Sequence, residues 1–204
     1  VTEGALNLID KDYLVKEAAG LMRIAGIKTG PLYLGVLIGG NAKGFSLDRE
    51  KIAMLLREAK AAAEELDVYI LATTSRRTPK DIEMVLKEEF AGYPRCRLLV
   101  VANENNIPEA VGGILGLSSV VIISPESISM VSEAVSSGKQ VLVFESRGLS
   151  KKHRSFLEYF AQKEYLRLLP CDLLKEAIKK AFGQSGRPSL NDGAAVREAL
   201  NKIL

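Results

Sequence analysis

The sequence predicts an α/β fold, an open and mainly parallel sheet with helices on both faces. Two observations predict it. Short, β-rich apolar runs alternate with segments whose apolar residues return at helical spacing, which is the sequence form of repeated strand–helix–strand units. The strand runs are also near-continuously apolar, as strands are when helices cover both faces of a sheet. A length of 204 residues suits one sizeable domain with terminal extensions.

Taken in order, the chain opens with a helix-like run at residues 11–25, and the first strand reads LYLGVLIG at 32–39. After Ser46, Ile52, Leu55, Leu56, Ala59, Ala63 and Leu66 form an amphipathic stripe, with Asp48 and Glu50 in the first turn favouring the positive end of the helix dipole. VYILATT at 68–74 is the second strand. Thr78, Pro79 and Asp81 then read as N-cap, first helical position and capping acid of a helix whose stripe is Ile82, Val85 and Leu86 and whose stop is Gly92. RLLVVA at 97–102 is the third strand, and the three glycines within 107–117 make that segment the weakest helix. SVVIIS at 119–124 is the fourth strand; Ser124 and Pro125 open the next helix, Gly138 lies just past its end, and VLVFE at 141–145 is the fifth strand. Beyond Phe144 only helices are predicted, at 151–163, 171–182 and 193–203, with GQSGRPSLNDG linking the last two. The organisation is an extension with a linker helix at 1–29, a Rossmann-like domain at 30–170 and carboxyl-terminal helices at 171–204.

Composition excludes several classes. With 47% hydrophobic and 26% charged residues and no apolar run of about 18 residues, the chain is expected not to cross a membrane by itself. Val1 follows no basic and apolar leader, so the start reads as a boundary or processing site rather than a signal, and the expected setting, from two cysteines read as reduced, is cytoplasmic. Cys96 and Cys171 form no C-x-x-C pair and His153 is the only histidine, which leaves no material for a zinc site and marks both cysteines as reduced and structural. Residues 147–204 carry 12 Lys+Arg against 6 Asp+Glu, and the remainder 16 against 19, so the carboxyl-terminal part is the basic end. Solvated helix faces account for such a bias without specific nucleic-acid binding.

In an open parallel sheet the ligand crevice lies at the carboxyl ends of the strands, where helix N-termini present unpaired N–H groups. Three loops reach that edge. The first carries Gly39, Gly40, Asn41, Lys43 and Gly44, where glycines let backbone approach a phosphate and Lys43 adds charge; an ordinary turn into a helix is the other reading. It is no P-loop, because Phe45 follows Gly44 where a P-loop has lysine, and no G-x-G-x-x-G, which excludes the dinucleotide fingerprint. The second carries Thr73, Thr74, Ser75, Arg76 and Arg77, two guanidiniums whose forks match the oxygens of a diphosphate, or two solvated arginines. The third carries Ser124, Pro125, Glu126, Ser127, Ile128, Ser129, Met130, Ser132 and Glu133, serines crowding a helix start with a glutamate about two turns in, placed to accept from a sugar's hydroxyls or simply facing solvent.

GGNAKGFSLD, ATTSRRTP and ISMVSEAVSSGKQVLVFE, in this order and spacing, resemble the ELM-type family named for mitochondrial fission, whose members look like GT-B glycosyltransferases. The resemblance runs over about residues 30–170 and includes KKHRSFLEYF. It implies a GT-B carboxyl-terminal domain that binds a nucleotide-diphosphate sugar, such as a UDP-sugar, as substrate, while an amino-terminal GT-B domain, missing here, holds the acceptor. Gly39 and Gly40 would then lie near the donor phosphates, Ser127, Ile128, Ser129 and Met130 would offer them the helix N-terminus, Glu133 would hold the ribose, and Val101, Ala102 and Asn103 would border the base. Arg76 and Arg77 belong to the family motif and take their role from charge. One departure is Glu126 after Pro125, where relatives often carry Asp before the serine. The expectation is a domain that binds without turning over alone, with N–H groups and arginines instead of a metal or cofactor at the diphosphate. A non-enzymatic module, touching a protein or a membrane surface through the basic end from Arg147, is the alternative; a nucleotide-sugar epimerase would need more acid–base residues than Glu126 and Glu133.

Overall fold

The computed structural model describes residues 3–184 and 188–190. Its strands are β1 (Tyr33–Ile38), β2 (Tyr69–Thr74), β3 (Cys96–Val100), β4 (Val120–Ile123), β5 (Gln140–Phe144) and β6 (Arg167–Leu169). They form one sheet in the order β3-β2-β1-β4-β5-β6, and all five pairings are parallel. This is the Rossmann-like α/β class that the sequence predicts. The helices are α1 (Lys11–Ala25), α2 (Arg49–Leu66), α3 (Lys80–Phe90), α4 (Ala110–Leu117), α5 (Ile128–Ser136), α6 (Lys151–Gln162) and α7 (Leu174–Phe182), the last preceded by one 3-10 turn, Cys171–Leu173.

Burial explains the apolar strand runs. In β1, Leu34, Val36 and Ile38 face a core shared with α2, α3 and α7, whereas Tyr33 and Leu37 face one shared with α1, α4, α5 and α6. Both faces exclude water, so no polar residue alternates.

Gly112, Gly113 and Gly116 make α4 a poor helix by propensity but a good partner for α1. A Cβ at Gly113 would meet Leu21 and the Glu17 carbonyl, and one at Gly116 would meet the Leu14 carbonyl and Ala18. The helices thus approach backbone to side chain, and Ala18 and Leu21 are buried between them and the sheet. At the other end of the chain, Leu174, Ile178 and Ala181 of α7 join the core beside α2.

The structure corrects four sequence expectations. The region beyond Phe144 is not helical throughout, because β6 adds an edge strand beside β5; three residues with Arg167 among them leave no readable apolar run. Ser124 and Pro125 do not start α5: Ser127 is its N-cap, its Oγ accepting from the Met130 N–H at 3.4 Å. Thr78 does not cap α3, whose N-cap is Pro79 without a side-chain bond, because the Thr78 hydroxyl is engaged across the sheet edge. Asp48 is the N-cap of α2 and not a first-turn residue, accepting from the Lys51 N–H at 2.8 Å. Gly138, at φ 69°, follows the end of α5 as expected. The predicted helix at 193–203 lies outside the described residues, as does part of the linker before it.

Candidate functional site

The chain leaves β1 toward β2 on one side and β4 toward β5 on the other, so the crossovers diverge above the β1–β4 pair. Such a switch point opens a crevice at the carboxyl ends of the strands. Gly39, Gly40 and Asn41 follow β1 there, Ser124 to Ser127 follow β4, and Ser75 to Pro79 follow β2 next along. The three loops singled out in the sequence therefore share one edge.

They also hold one another. The Gly39 N–H donates to Ser124 Oγ at 2.7 Å, the Gly40 N–H to Glu126 Oε1 at 2.8 Å, and Ser124 Oγ to the same Oε1 at 3.2 Å. From the loop after β2, the Thr78 hydroxyl lies against the carbonyls of Ile38 and Gly39 while accepting from the Ser75 N–H at 2.9 Å. The glycines leave room for protein: a Cβ at Gly39 would strike the Glu126 carboxylate, and one at Gly40 the Arg77 carbonyl. Other predicted residues shape these loops. Asn41 Oδ1 accepts from the Leu47 N–H at 3.0 Å, Thr74 Oγ1 from the Ala102 N–H at 3.0 Å, and Ser75 Oγ from the Arg77 N–H at 3.1 Å. Asn103 is exposed, and its Nδ2 donates to Glu83 Oε1 at 2.7 Å and to the Thr78 carbonyl at 3.3 Å.

Against this closed network stand groups that form no hydrogen bond or ion pair among the described residues. Among the described residues, the N–H groups of Ile128 and Ser129 in the first turn of α5 have no hydrogen-bond partner, and they lie at the positive end of that helix. The guanidiniums of Arg76 and Arg77 and the ammonium of Lys43 are exposed and form no ion pair among the described residues. Glu133 is half-buried, its carboxylate accepts no hydrogen bond among the described residues, and burial pushes that carboxyl above the usual range. Tyr13 of α1 is the residue that sequence reasoning missed. Its phenol is pushed up first by burial and then by Glu17 and Glu133, so it lies within electrostatic reach of Glu133. A tyrosine in a segment read as an extension carries no motif to flag it.

Chemically, this edge offers free N–H donors and cations for an anion and a desolvated carboxylate for hydroxyl groups. Among the described residues no group of three or more His, Cys, Asp or Glu side chains is arranged to hold a metal ion, and no helix is long and apolar enough to cross a membrane. Both cysteines are free, with burial raising each thiol to about 11.

Comparison with known proteins adds the following. A sequence profile described as Mitochondrial fission ELM1 matches residues 1–203. An uncharacterised protein of Rickettsia prowazekii (strain Madrid E) is 25% identical over 173 residues, which are 84% of this chain and 47% of that protein. The chain is similar in fold to the UDP-GlcNAc 2-epimerase of Methanocaldococcus jannaschii in complex with UDP-GlcNAc and UDP, with TM-score 0.56, 10% identity, and coverage of 94% of this chain and 52% of that one. It is also similar to S. aureus MnaA in its co-structure with UDP, with TM-score 0.53, 12% identity, and coverage of 80% and 38%. A trehalose-6-phosphate synthase gives TM-score 0.52 at 13% identity, with coverage of 87% and 42%. The chain spans about half the length, or less, of each of these proteins.

Proposed function

This chain belongs to the mitochondrial fission ELM1 family and shares a Rossmann-like fold with its structural neighbours, and from that premise we propose that it is a GT-B carboxyl-terminal domain whose crevice binds a nucleotide-diphosphate sugar. The observation that carries the reading is the gathering, at one switch point, of the Ile128 and Ser129 N–H groups, the Arg76 and Arg77 guanidiniums and the half-buried Glu133 carboxylate, none of which forms a hydrogen bond or ion pair among the described residues. In this reading the helix N-terminus and the arginines take the diphosphate, Glu133 accepts from the ribose hydroxyls, and Asn103 borders the base. Two fold neighbours carry UDP or UDP-GlcNAc in their own structures, which makes uridine compounds the first to try. In a parent protein that transfers the sugar, the same N–H groups and guanidiniums stabilise the departing diphosphate, and no metal is called for.

The test is a thermal-shift series with UDP, GDP, ADP and CMP compounds and their sugar conjugates. A ligand present at about 100 times its Kd adds roughly 2.7 kcal/mol of stability, so a binder raises Tm by several degrees. No response to any member of the series sinks the reading.

One observation favours a second reading, a non-enzymatic module that meets an anionic protein or membrane surface. The first turn of α6 holds Lys151, Lys152 and Arg154 and no acid, against the preference of the helix dipole, and these side chains are exposed without ion pairs among the described residues. Binding to vesicles rich in anionic lipid, lost when the three are reversed to glutamate, together with indifference to nucleotides, decides for it.

A further inference from the structure

Glu126 is a buried carboxylate of the crevice network, only 2% exposed, and just one of its two oxygens is satisfied. Oε1 accepts from the Gly40 N–H and the Ser124 hydroxyl, while Oε2 is buried and has no partner. The space that glycine leaves at position 39 is filled by this carboxylate. An anion seated on the backbone N–H of a glycine loop, at the switch point of a parallel sheet, stands where a phosphate oxygen of a bound nucleotide would stand. Its orphaned Oε2 shows that the seat is a poor one for a carboxylate, since a buried acceptor without a donor is held at a cost.

We propose that Glu126 is an internal stand-in for the ligand's diphosphate, occupying the Gly40 N–H until a phosphate oxygen displaces it and thereby setting the affinity of the site. The inference rests on the nucleotide-sugar reading above and adds its regulation. Displacement has a consistent chemistry. The incoming diphosphate is acceptor-only, carries more charge than one carboxylate, and gains Arg77, the charged group that already bears on Glu126 from the β2–α3 loop. The glycine loop and the β4–α5 turn present backbone N–H and the Ser124 hydroxyl to Glu126 rather than charge. Burial raises the Glu126 carboxyl above its usual range, so the ionised plug that repels phosphate gives way, on acidification, to a neutral acid that holds the N–H less strongly and does not repel.

The experiment is calorimetric titration of the 204-residue chain with UDP-N-acetylglucosamine, whose diphosphate does not titrate between about pH 5 and 8, with GDP-mannose and ADP-glucose in parallel, on the wild type, Glu126→Gln and Glu126→Ala. Wild-type affinity is expected to fall as pH rises through this window. Glu126→Gln is expected to bind with no such trend, and Glu126→Ala to bind roughly tenfold or more tighter than wild type at the alkaline end, about 1.4 kcal/mol. Binding weakened tenfold by either substitution, in a chain whose far-ultraviolet circular dichroism is unchanged, overturns the stand-in and makes Glu126 a direct ligand contact. Glu126→Gln binding no tighter than wild type at the alkaline end overturns it likewise, should Glu126→Ala not fold. Wild-type binding with either result leaves the nucleotide-sugar reading intact, whereas no binding by wild type or variants to any of the three compounds takes down both.

Discussion

A methyl group added at Gly40 has nowhere to go, because the Arg77 carbonyl already fills its place, whereas one at Gly39 meets side-chain atoms, the tip of Glu126 and the Ser124 hydroxyl. Backbone yields less readily than a side chain, so Gly40→Ala is expected to destabilise the chain by about 1–3 kcal/mol and Gly39→Ala by less, as read from urea unfolding; equal costs would contradict the close approach described. The sequence marks both glycines but not what approaches them, since φ, ψ and spacing say nothing about which distant atom arrives. Glu133 shows the converse. Its helical position is legible from SMVSEA, while the absence of a hydrogen-bond donor to its carboxylate among the described residues is visible only once the neighbouring helices are in place. Glu133→Gln keeps the volume and removes the charge, and is expected to weaken nucleotide-sugar binding about tenfold, the worth of one hydrogen bond to a charged acceptor. It also has a pH signature. A carboxyl whose folded-state pKa is raised binds its proton more tightly in the folded chain, so stability is retained below the ordinary glutamate value and declines as pH rises through the raised one. Glu133→Gln should therefore match wild type in acid and exceed it above that window, and unfolding midpoints measured across pH would show a constant difference if burial were not the cause.

At the scale of elements, α1 and α4 are joined by the absence of side chains. Gly116→Leu would drive a branched side chain into the Leu14 carbonyl and Ala18, and is expected to lift α1 from the sheet. Amide exchange would then rise across residues 11–25 while the strands keep their protection; exchange that rose uniformly would mean the whole fold had been lost. The same glycines made this helix the least legible in the sequence, because propensity counts their cost and is blind to the partner that repays it. Strands β1, β2, β4 and β5 were legible for the opposite reason, since burial on both faces forces an apolar run, and the edge strand β3 still shows one in Leu98, Leu99 and Val100 although Arg97 is exposed. Strand β6 escaped because an edge strand of three residues is exposed on one side and needs no such run. The caps shifted by one to three residues where hydroxyls serve other loops, Ser124 reaching Gly39 and Thr78 reaching the end of β1. Ser127 is left as the working cap of α5, and Ser127→Ala is expected to cost about 1 kcal/mol and to weaken nucleotide binding with it, as calorimetry on the folded variant would show.

For the whole molecule, the strand order places everything proposed here on a single seam. Strand β1 lies between β2, its successor in the chain, and β4, which pairs Leu34 with Val120 and Leu37 with Ile123 across a long intervening stretch. Order of synthesis gives that seam a second meaning. Strands β1, β2 and β3 emerge and can pair locally well before β4 exists, and contacts of high sequence separation form late. Until then β1 has an open edge of entirely apolar residues, the kind of edge that recruits other chains. A chain ending before Val120 is accordingly expected to aggregate at concentrations where the full chain stays monodisperse in light scattering. The crevice is thus where a nascent chain closes its most adhesive edge, so substitutions at Gly39, Gly40 or Ser124 put the yield of folded protein at risk as well as its ligand.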